Sequence, residues 1–188
     1  MSCRIYNIGF FRVFHIVALK HNLRYLDLTG NVLINDDSMP ALILLENLQF
    51  LSVFETGVLM PGLRKLAVAV KGGKHVMDIV IPTVCKDYIN GELTTISHLF
   101  FMSRCISSGI HEQYLLHPLP PLISDPDIVS TLSKTALSHN LTVHASVNSS
   151  IVSSGPREEM EVRLWKILDM RRQDLVVREM LVGQDEAR

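Results

Sequence analysis

The sequence predicts a repeat protein in two parts, an α/β leucine-rich-repeat block over residues 1–70 and an all-α armadillo-like superhelix over residues 74–188. Three observations predict it. A leucine motif occurs twice, helix-length stretches replace it after a double glycine, and similar short segments begin at Leu141 and again at Leu175. With 47% hydrophobic residues, the chain has ample apolar side chains for a core.

The repeat motif begins at Leu23 and reads LRYLDLTGNVL, which matches the leucine-rich-repeat pattern L-x-x-L-x-L-x-x-N-x-L at each specified position. A second copy, LQFLSVFETGV, begins at Leu48, one repeat length further on, with Thr56 in place of the asparagine. Such a motif places alternating leucines of a short strand in the core, while Asn31 bonds backbone groups freed at the strand end. We therefore expect the two copies to form neighbouring rungs.

The segments around the two motifs complete this block. Between them, Asp37 or Ser38 is the expected cap of a helix that has Pro40 in its first turn. A strand of a preceding repeat is expected near residues 4–8. A third motif start at Leu63 follows the second too closely for a full repeat, so we expect the array to end there.

Beyond the glycines at 72–73 the pattern becomes helical. Residues 75–87 and 93–105 carry apolar side chains at helical spacing, and the turn at 90–91 between them predicts a helical hairpin, although Pro82 interrupts its first member. The double glycine therefore marks the joint between the two blocks.

The last third of the chain alternates loop and helix. Residues 107–127 lack an apolar period and contain several prolines, so a surface loop is expected, with 125–126 as the cap and first turn of the next helix. The segment 141–152 fits a strand and a helix equally well. A final helix is expected after 155–156, with an interruption at 173–174.

Composition excludes several classes of function. A formal net charge of -1, from 18 basic and 19 acidic residues, gives no field that would attract nucleic acid or a membrane surface. Cys3, Cys85 and Cys105 form no C-x-x-C motif, which indicates neither a disulfide framework nor a zinc site. We expect a cytoplasmic protein, with the nucleus as a second location, and no membrane span.

The sequence shows no catalytic signature and predicts a protein that is not an enzyme, without cofactor, metal or catalytic residues. His98, Cys105 and His111 lack the close pairing of metal ligands. Residues 71–74, Lys-Gly-Gly-Lys, lack the spacing of a phosphate-binding loop, so a plain turn is favoured. The prolines at 118–121 fit an SH3 ligand, but a stiff linker is favoured.

Candidate binding residues lie at the exposed positions of the repeat strands. Tyr25 and Phe50 occupy equivalent motif positions, so their rings should stack side by side, although Phe50 could equally fill a neighbouring groove. Trp165 fits a partner groove, but its spacing from neighbouring leucines favours the core. The candidate protein-binding residues are Arg24, Tyr25, Asp27, Gln49, Phe50 and Ser52.

The whole arrangement resembles the ZYG/ZER family of cullin-RING ubiquitin-ligase substrate receptors. A leucine-rich block passes directly into helical segments at 77–82, Tyr88 and 92–100, followed by 135–141 and 168–175, and the resemblance covers most of the chain. The resemblance implies a substrate-recognition subunit in which leucine-rich and armadillo repeats form one curved body. The armadillo groove of the family captures proteins with particular N-terminal residues, notably glycine, for ubiquitination.

Family members carry a docking box for elongin and cullin before the repeats. The sequence has no room for it ahead of Leu23, so we expect a truncated member whose full-length form would bind elongin and cullin subunits as well as protein substrates. No pocket residue of the family transfers by position. The alternative hypothesis is a leucine-rich-repeat scaffold or adaptor unrelated to ubiquitin, which binds partners through its concave face only.

Overall fold

The chain is a mixed α/β protein with a parallel sheet and several helices. It divides into two compact units, unit 1 with residues 1–93 and 174–188 and unit 2 with residues 94–173. This division differs from the predicted joint at 70–74, because the strand after that joint belongs to the sheet of unit 1. The computed structural model describes residues 2–5, 13, 15–73, 77–90, 116 and 123–185.

Unit 1 is built on a sheet in which the described residues form four parallel strands in chain order. Leu26 pairs with Leu51 and Tyr25 with Phe50, so the two motif copies lie side by side as predicted. The strands are β1 Ser2–Arg4, β2 Tyr25–Asp27, β3 Phe50–Ser52 and β4 Asp78–Val80. Their first residues follow one another at nearly even spacing along the chain.

The strand β4 corrects the helix predicted over residues 75–87. Its side chains alternate between buried and exposed, which is the two-residue period of a strand. Pro82 disfavours helical backbone in the residue before it, so the helix of this region begins only at Thr83. Alternate side chains on the inner face are buried, namely Met77, Ile79 and Ile81.

The prediction that the array ends at Leu63 is also wrong. Leu63 lies inside a helix, where Pro61 in the first turn and the spacing from Leu63 to Leu66 suit helical rather than strand geometry. The sheet then continues at β4. Helices of unit 1 include α1 Met39–Ile43, α2 Met60–Gly72 and α3 Thr83–Asn90, and 3₁₀ turns lie at Val17–Leu19 and Asp36–Ser38.

The cap before α1 differs from the prediction. Asn35 accepts a hydrogen bond from the backbone N of Asp37 at 3.1 Å through its side-chain oxygen and so caps the 3₁₀ turn. Asn35 has extended backbone, as a cap requires, whereas Ser38 is already helical and makes no capping bond. Leu42 and Leu45 of this region are buried.

The polar residues that follow the two motif strands turn inward. Asn31 donates from its side-chain nitrogen to the carbonyl oxygens of Leu28 and Ile5, both at 2.8 Å. At the equivalent position, the Thr56 hydroxyl donates to the carbonyl oxygen of Val53 at 2.7 Å. Both side chains are buried, and each satisfies backbone carbonyls at the point where a strand ends.

The final leucine of the first motif does not enter the core. Leu33 is 66% exposed, and the next residue, Ile34, is fully buried instead. In the second motif Val58 is buried at the position equivalent to Leu33. The first copy therefore needs one more residue than the second before the chain returns to the core.

Unit 2 contains a 3₁₀ helix at Pro126–Thr131, the helix α4 Lys134–Val147, and the part of α5 that precedes residue 174. Asp125 caps the 3₁₀ helix and Ser133 caps α4, so the one helix expected after 125–126 is divided in two. The ambiguous segment 141–152 is helical as far as Val147. The core consists of Val129, Leu137, Leu141, Met160, Leu164 and Leu168.

The helix α5 runs without interruption over Arg157–Asp185, so the break predicted at 173–174 is wrong. Asp174 does not mark a turn because its side chain is fully buried and bonded inside unit 1. Trp165 also departs from the prediction: it is 43% exposed, because Leu164 and Leu168 occupy the buried face of the helix.

Candidate protein-binding surface

One face of the sheet in unit 1 is turned away from the buried leucines. Neighbouring residues of a strand point to opposite faces of the sheet. The middle residues of β2, β3 and β4 are Leu26, Leu51 and Ile79, and all three are buried. The first and last residues of each strand therefore point the other way and form two outward rows. We call these rows the outer face. The first row is Ser2, Tyr25, Phe50 and Asp78, and the second is Arg4, Asp27, Ser52 and Val80.

An aromatic pair occupies the middle of the first row. The ring centroids of Tyr25 and Phe50 are 5.9 Å apart and the ring planes differ by 25°, which is the stacking that the equal motif positions predict. Tyr25 is half exposed and Phe50 is partly exposed. Aromatic side chains of this kind anchor many protein interfaces because they bury a large apolar area with little loss of conformational entropy.

The second row is largely occupied by its own polar contacts. Arg4 Nε lies 2.9 Å from Asp27 Oδ2, and Asp27 Oδ1 accepts from the backbone N of Thr29 at 3.0 Å. Partial burial raises the pKa of Asp27, but the hydrogen bonds from Thr29 and the charge of Arg4 outweigh it and lower the pKa below its ordinary value. Asp27 is therefore a paired carboxylate.

Ser52 departs from the predicted binding set. Its side chain is buried, and its Oγ lies 2.7 Å from the Thr29 Oγ1. Arg24 and Gln49 are exposed as expected, and they stand one position before the strands β2 and β3. Arg24, Gln49 and Tyr25 are therefore exposed, as the prediction requires, whereas Ser52 is buried and hydrogen-bonded to Thr29.

Asp78 belongs to the outer face although the sequence reasoning missed it. It pairs in register with Phe50, its side chain is exposed, and within the described residues its carboxylate makes no hydrogen bond or ion pair. The signal that could have revealed it is the β-branched run Ile79, Val80 and Ile81, which follows Asp78 and stops at Pro82.

A polar cluster is buried behind the sheet, in the same unit. Arg64 Nε donates to Asp174 Oδ1 at 2.6 Å and its Nη2 to Asp174 Oδ2 at 3.2 Å, while the Tyr88 hydroxyl donates to Asp174 Oδ2 at 3.0 Å. Burial raises the pKa of Asp174 by more than these contacts lower it. Both oxygens of the carboxylate are bonded, so neither is left unsatisfied in the interior.

Cys85 lies in the interior of unit 1. Its Sγ is 3.8 Å from the carbonyl oxygen of Val58, and burial, with the nearby charge of Asp36, raises its pKa to about 12. A thiol with such a pKa is fully protonated at neutral pH and is a poor nucleophile. Cys85 is thus a buried free thiol, and Cys105 lies outside the described residues.

The remaining residues considered for a metal, phosphate or peptide site form no metal site among the described residues, or lie outside them. Within the described part of the chain, no group of three or more His, Cys, Asp or Glu residues could hold a metal ion. His98, His111 and the prolines at 118–121 lie outside that part. Lys71 and the following glycine end α2, and the Lys71 Nζ contacts Glu179 at 2.7 Å.

Comparison with models of protein families gave no match, and neither did comparisons with curated proteins or with solved structures. No helix among the described residues is long and apolar enough to span a membrane. The functional proposal therefore rests on the contacts and exposure of the chain's own residues.

Proposed function

We propose that this chain is a non-catalytic protein-recognition subunit whose leucine-rich-repeat block binds target proteins through the outer face of its sheet. One observation carries the proposal: the stacked pair of Tyr25 and Phe50 is exposed on a face whose second row is already hydrogen-bonded. Aromatic side chains in the centre of a face, with satisfied polar groups around them, are typical of an interface core and its rim.

The spacing of the strands supports the repeat part of the proposal. The strands begin at Ser2, Tyr25, Phe50 and Asp78, and each interval falls within the roughly 20–29-residue period of leucine-rich repeats. The inward hydrogen bonds of Asn31 and Thr56 suit the asparagine position of that pattern. In unit 2, α4 and α5 share one apolar core, as a helix pair of an armadillo-like array would.

The resemblance to the ZYG/ZER family supports a more specific role. We propose that the chain, or a longer form that contains it, acts in the cytoplasm as the substrate receptor of a cullin-RING ubiquitin ligase. Elongin and cullin subunits would then be its constant partners, and the proteins bound on the outer face its substrates. A scaffold with the same outer face and no ubiquitin ligase is the rival function.

Affinity capture from cells, followed by identification of the bound proteins, tests the surface. The double substitution Tyr25→Ala with Phe50→Ala should release the bound targets. Truncation of an anchor residue costs about 2 kcal/mol or more, which corresponds to about 30-fold in Kd. Val68→Ala is the matched control because Val68 is an exposed apolar residue of the same unit that lies on α2, and it should leave capture unchanged.

The same experiment separates the two roles. Co-purification of elongin and cullin with the wild-type chain or its longer form, together with ubiquitination of targets that depends on Tyr25 and Phe50, supports the receptor role. Targets that depend on this pair, without elongin or cullin, support the scaffold instead. Equal capture by wild type and the double variant contradicts the proposal that the outer face binds proteins.

A further inference from the structure

The first row of the outer face contains a free carboxylate next to the aromatic pair. Asp78 is the register partner of Phe50 across β3 and β4, and its exposed carboxylate has no polar contact within the described residues. Adjacent strands lie about 4.8 Å apart. The carboxylate of Asp78 is therefore attached one strand away from the Phe50 ring.

Phe50 is partly exposed and has Tyr25 and Asp78 as its register partners on the two neighbouring strands. Tyr25 stands on β2 and covers Phe50 from one side of the row, with 5.9 Å between the ring centroids. The strand β4, which carries Asp78, lies on the opposite side of β3 from β2. The face of an aromatic ring is electron-rich and attracts a cation within about 6 Å of its centroid, and a neighbouring carboxylate attracts the same cation.

Other charges on the outer face do not cancel this attraction. The Asp27 carboxylate of the second row is already paired with Arg4 at 2.9 Å. Arg24 is exposed and stands just before β2, two strands away from Asp78. Among the described residues of the first row, Asp78 is therefore the charged one, and it stands at the β4 end beside the aromatic pair.

We propose that the Phe50 and Asp78 end of the outer face binds an arginine or lysine side chain presented by the target protein, with the cation between the ring and the carboxylate. The inference rests on the proposed function and names the chemistry of its target: an exposed segment that carries a basic residue. The occupant is a side chain of a protein because the aromatic pair beside the carboxylate is the proposed contact for the target protein.

Titration with a capped peptide of sequence Gly-Ser-Gly-Arg-Gly-Ser-Gly tests the inference, followed by NMR of the Tyr25 and Phe50 ring signals. A peptide with citrulline in place of arginine is the probe control, because it keeps the shape and removes the charge. The arginine peptide should shift both ring signals in a saturable way. Asp78→Asn should weaken this binding about three- to tenfold, the range expected for a partly exposed cation contact.

Two variants keep the result interpretable. Glu46→Gln removes one exposed carboxylate of the same unit away from the outer face and should leave the Kd unchanged. Asp78→Glu retains the charge and should restore most of the affinity. Thermal unfolding followed by circular dichroism should give equal Tm for all three variants, since each changed side chain is exposed.

Equal binding of the arginine and citrulline peptides, no binding of either, or an Asp78→Asn variant that binds like wild type would overturn the inference. In those cases the proposed function stands as long as captured targets still depend on Tyr25 and Phe50. Capture of targets that no longer depends on Tyr25 and Phe50 would instead contradict the proposed function. The Asp78→Asn variant therefore tests the inference, and the double variant of Tyr25 and Phe50 tests the proposed function.

Discussion

The two units bury their titratable groups in opposite ways. Unit 1 buries a charge, since the carboxylate of Asp174 is fully enclosed and bonded to Arg64 and Tyr88. Unit 2 buries His144, which is 2% exposed, and burial lowers its pKa to about 4, so the imidazole is neutral at pH 7. In unit 1 the buried group is a carboxylate held by Arg64 and Tyr88, whereas in unit 2 the buried group is an imidazole that burial keeps neutral at pH 7.

The largest effect should follow from removing one partner of the buried pair. Asp174→Ala leaves the Arg64 guanidinium buried without its countercharge, and the free energy of unfolding should fall by about 3–5 kcal/mol. The measurement is urea unfolding of the whole chain followed by circular dichroism. Replacing both partners together, Arg64→Met with Asp174→Leu, should cost much less, because no unpaired charge is left inside.

The exposed pair of Lys71 and Glu179 is the control for this prediction. It belongs to the same unit and has a similar separation, 2.7 Å between Nζ and Oε2, but both side chains are more than half exposed. Glu179→Ala should therefore lower the free energy of unfolding by less than about 1 kcal/mol. A cost for Asp174→Ala no greater than this would contradict the idea that burial makes the difference.

The second prediction concerns acid and unit 2. Because the pKa of His144 is about 4 in the folded chain and 6.5 in its ordinary state, the unfolded chain binds the proton more readily. Its contribution to stability is complete above pH 6.5 and is lost as the pH falls toward 4, by up to about 3 kcal/mol at roughly 1.4 kcal/mol per pKa unit. Urea unfolding at several pH values between 4 and 7 measures this slope.

Two substitutions isolate the source of the acid response. His144→Phe should abolish the slope, whereas the exposed His139→Ala should retain it. The raised pKa of Asp174 has the opposite sign, since the folded state then takes up the proton more readily, and it cannot supply a loss of stability on acidification. An NMR titration that gives His144 a pKa near 6.5 would be evidence against the prediction.

The difference between the units also explains what the sequence could reveal of the fold. In unit 1 the leucines at Leu26 and Leu51 mark inward positions in equal register, and the pairing of their strands follows from that pattern. The strand β4 stayed hidden because isoleucine and valine stand in place of leucine, and over a few residues such a run fits helix and strand alike. In unit 2 the apolar spacing over residues 141–152 fits a helix and a strand alike, so the sequence did not reveal that α4 continues to Val147.

Part of the candidate site could be predicted from the sequence and part could not. Tyr25 and Phe50 follow from equal motif positions, and their stacking needs only the register of β2 and β3. Asp78 depends on β4, so it could not be found before that strand was recognised. Arg64 and Asp174 are separated by 110 positions along the chain, and no local pattern connects two residues that meet only after folding.

The units also differ in how they cap a helix. In unit 2, Ser133 caps α4 locally by accepting from the backbone N of Ala136 at 3.2 Å. In unit 1, α2 has no such cap of its own; Asp36, from the turn before α1, accepts from the backbone N of Leu59 at 2.8 Å. This arrangement requires a residue without a side chain at position 62, because a Cβ there would collide with the Oδ1 of Asp36.

The smallest predicted effect tests this remote cap. Gly62→Ala should push the Asp36 carboxylate away from the start of α2 and lower the free energy of unfolding by about 1–3 kcal/mol, as overpacking does. Gly72→Ala is the control in the same helix, since a Cβ there meets no atom within 4 Å. It should stabilise the chain by up to about 1 kcal/mol through the higher helix propensity of alanine. Urea unfolding of both variants should thus give opposite signs, and a stabilising Gly62→Ala would show that Asp36 does not hold the start of this helix.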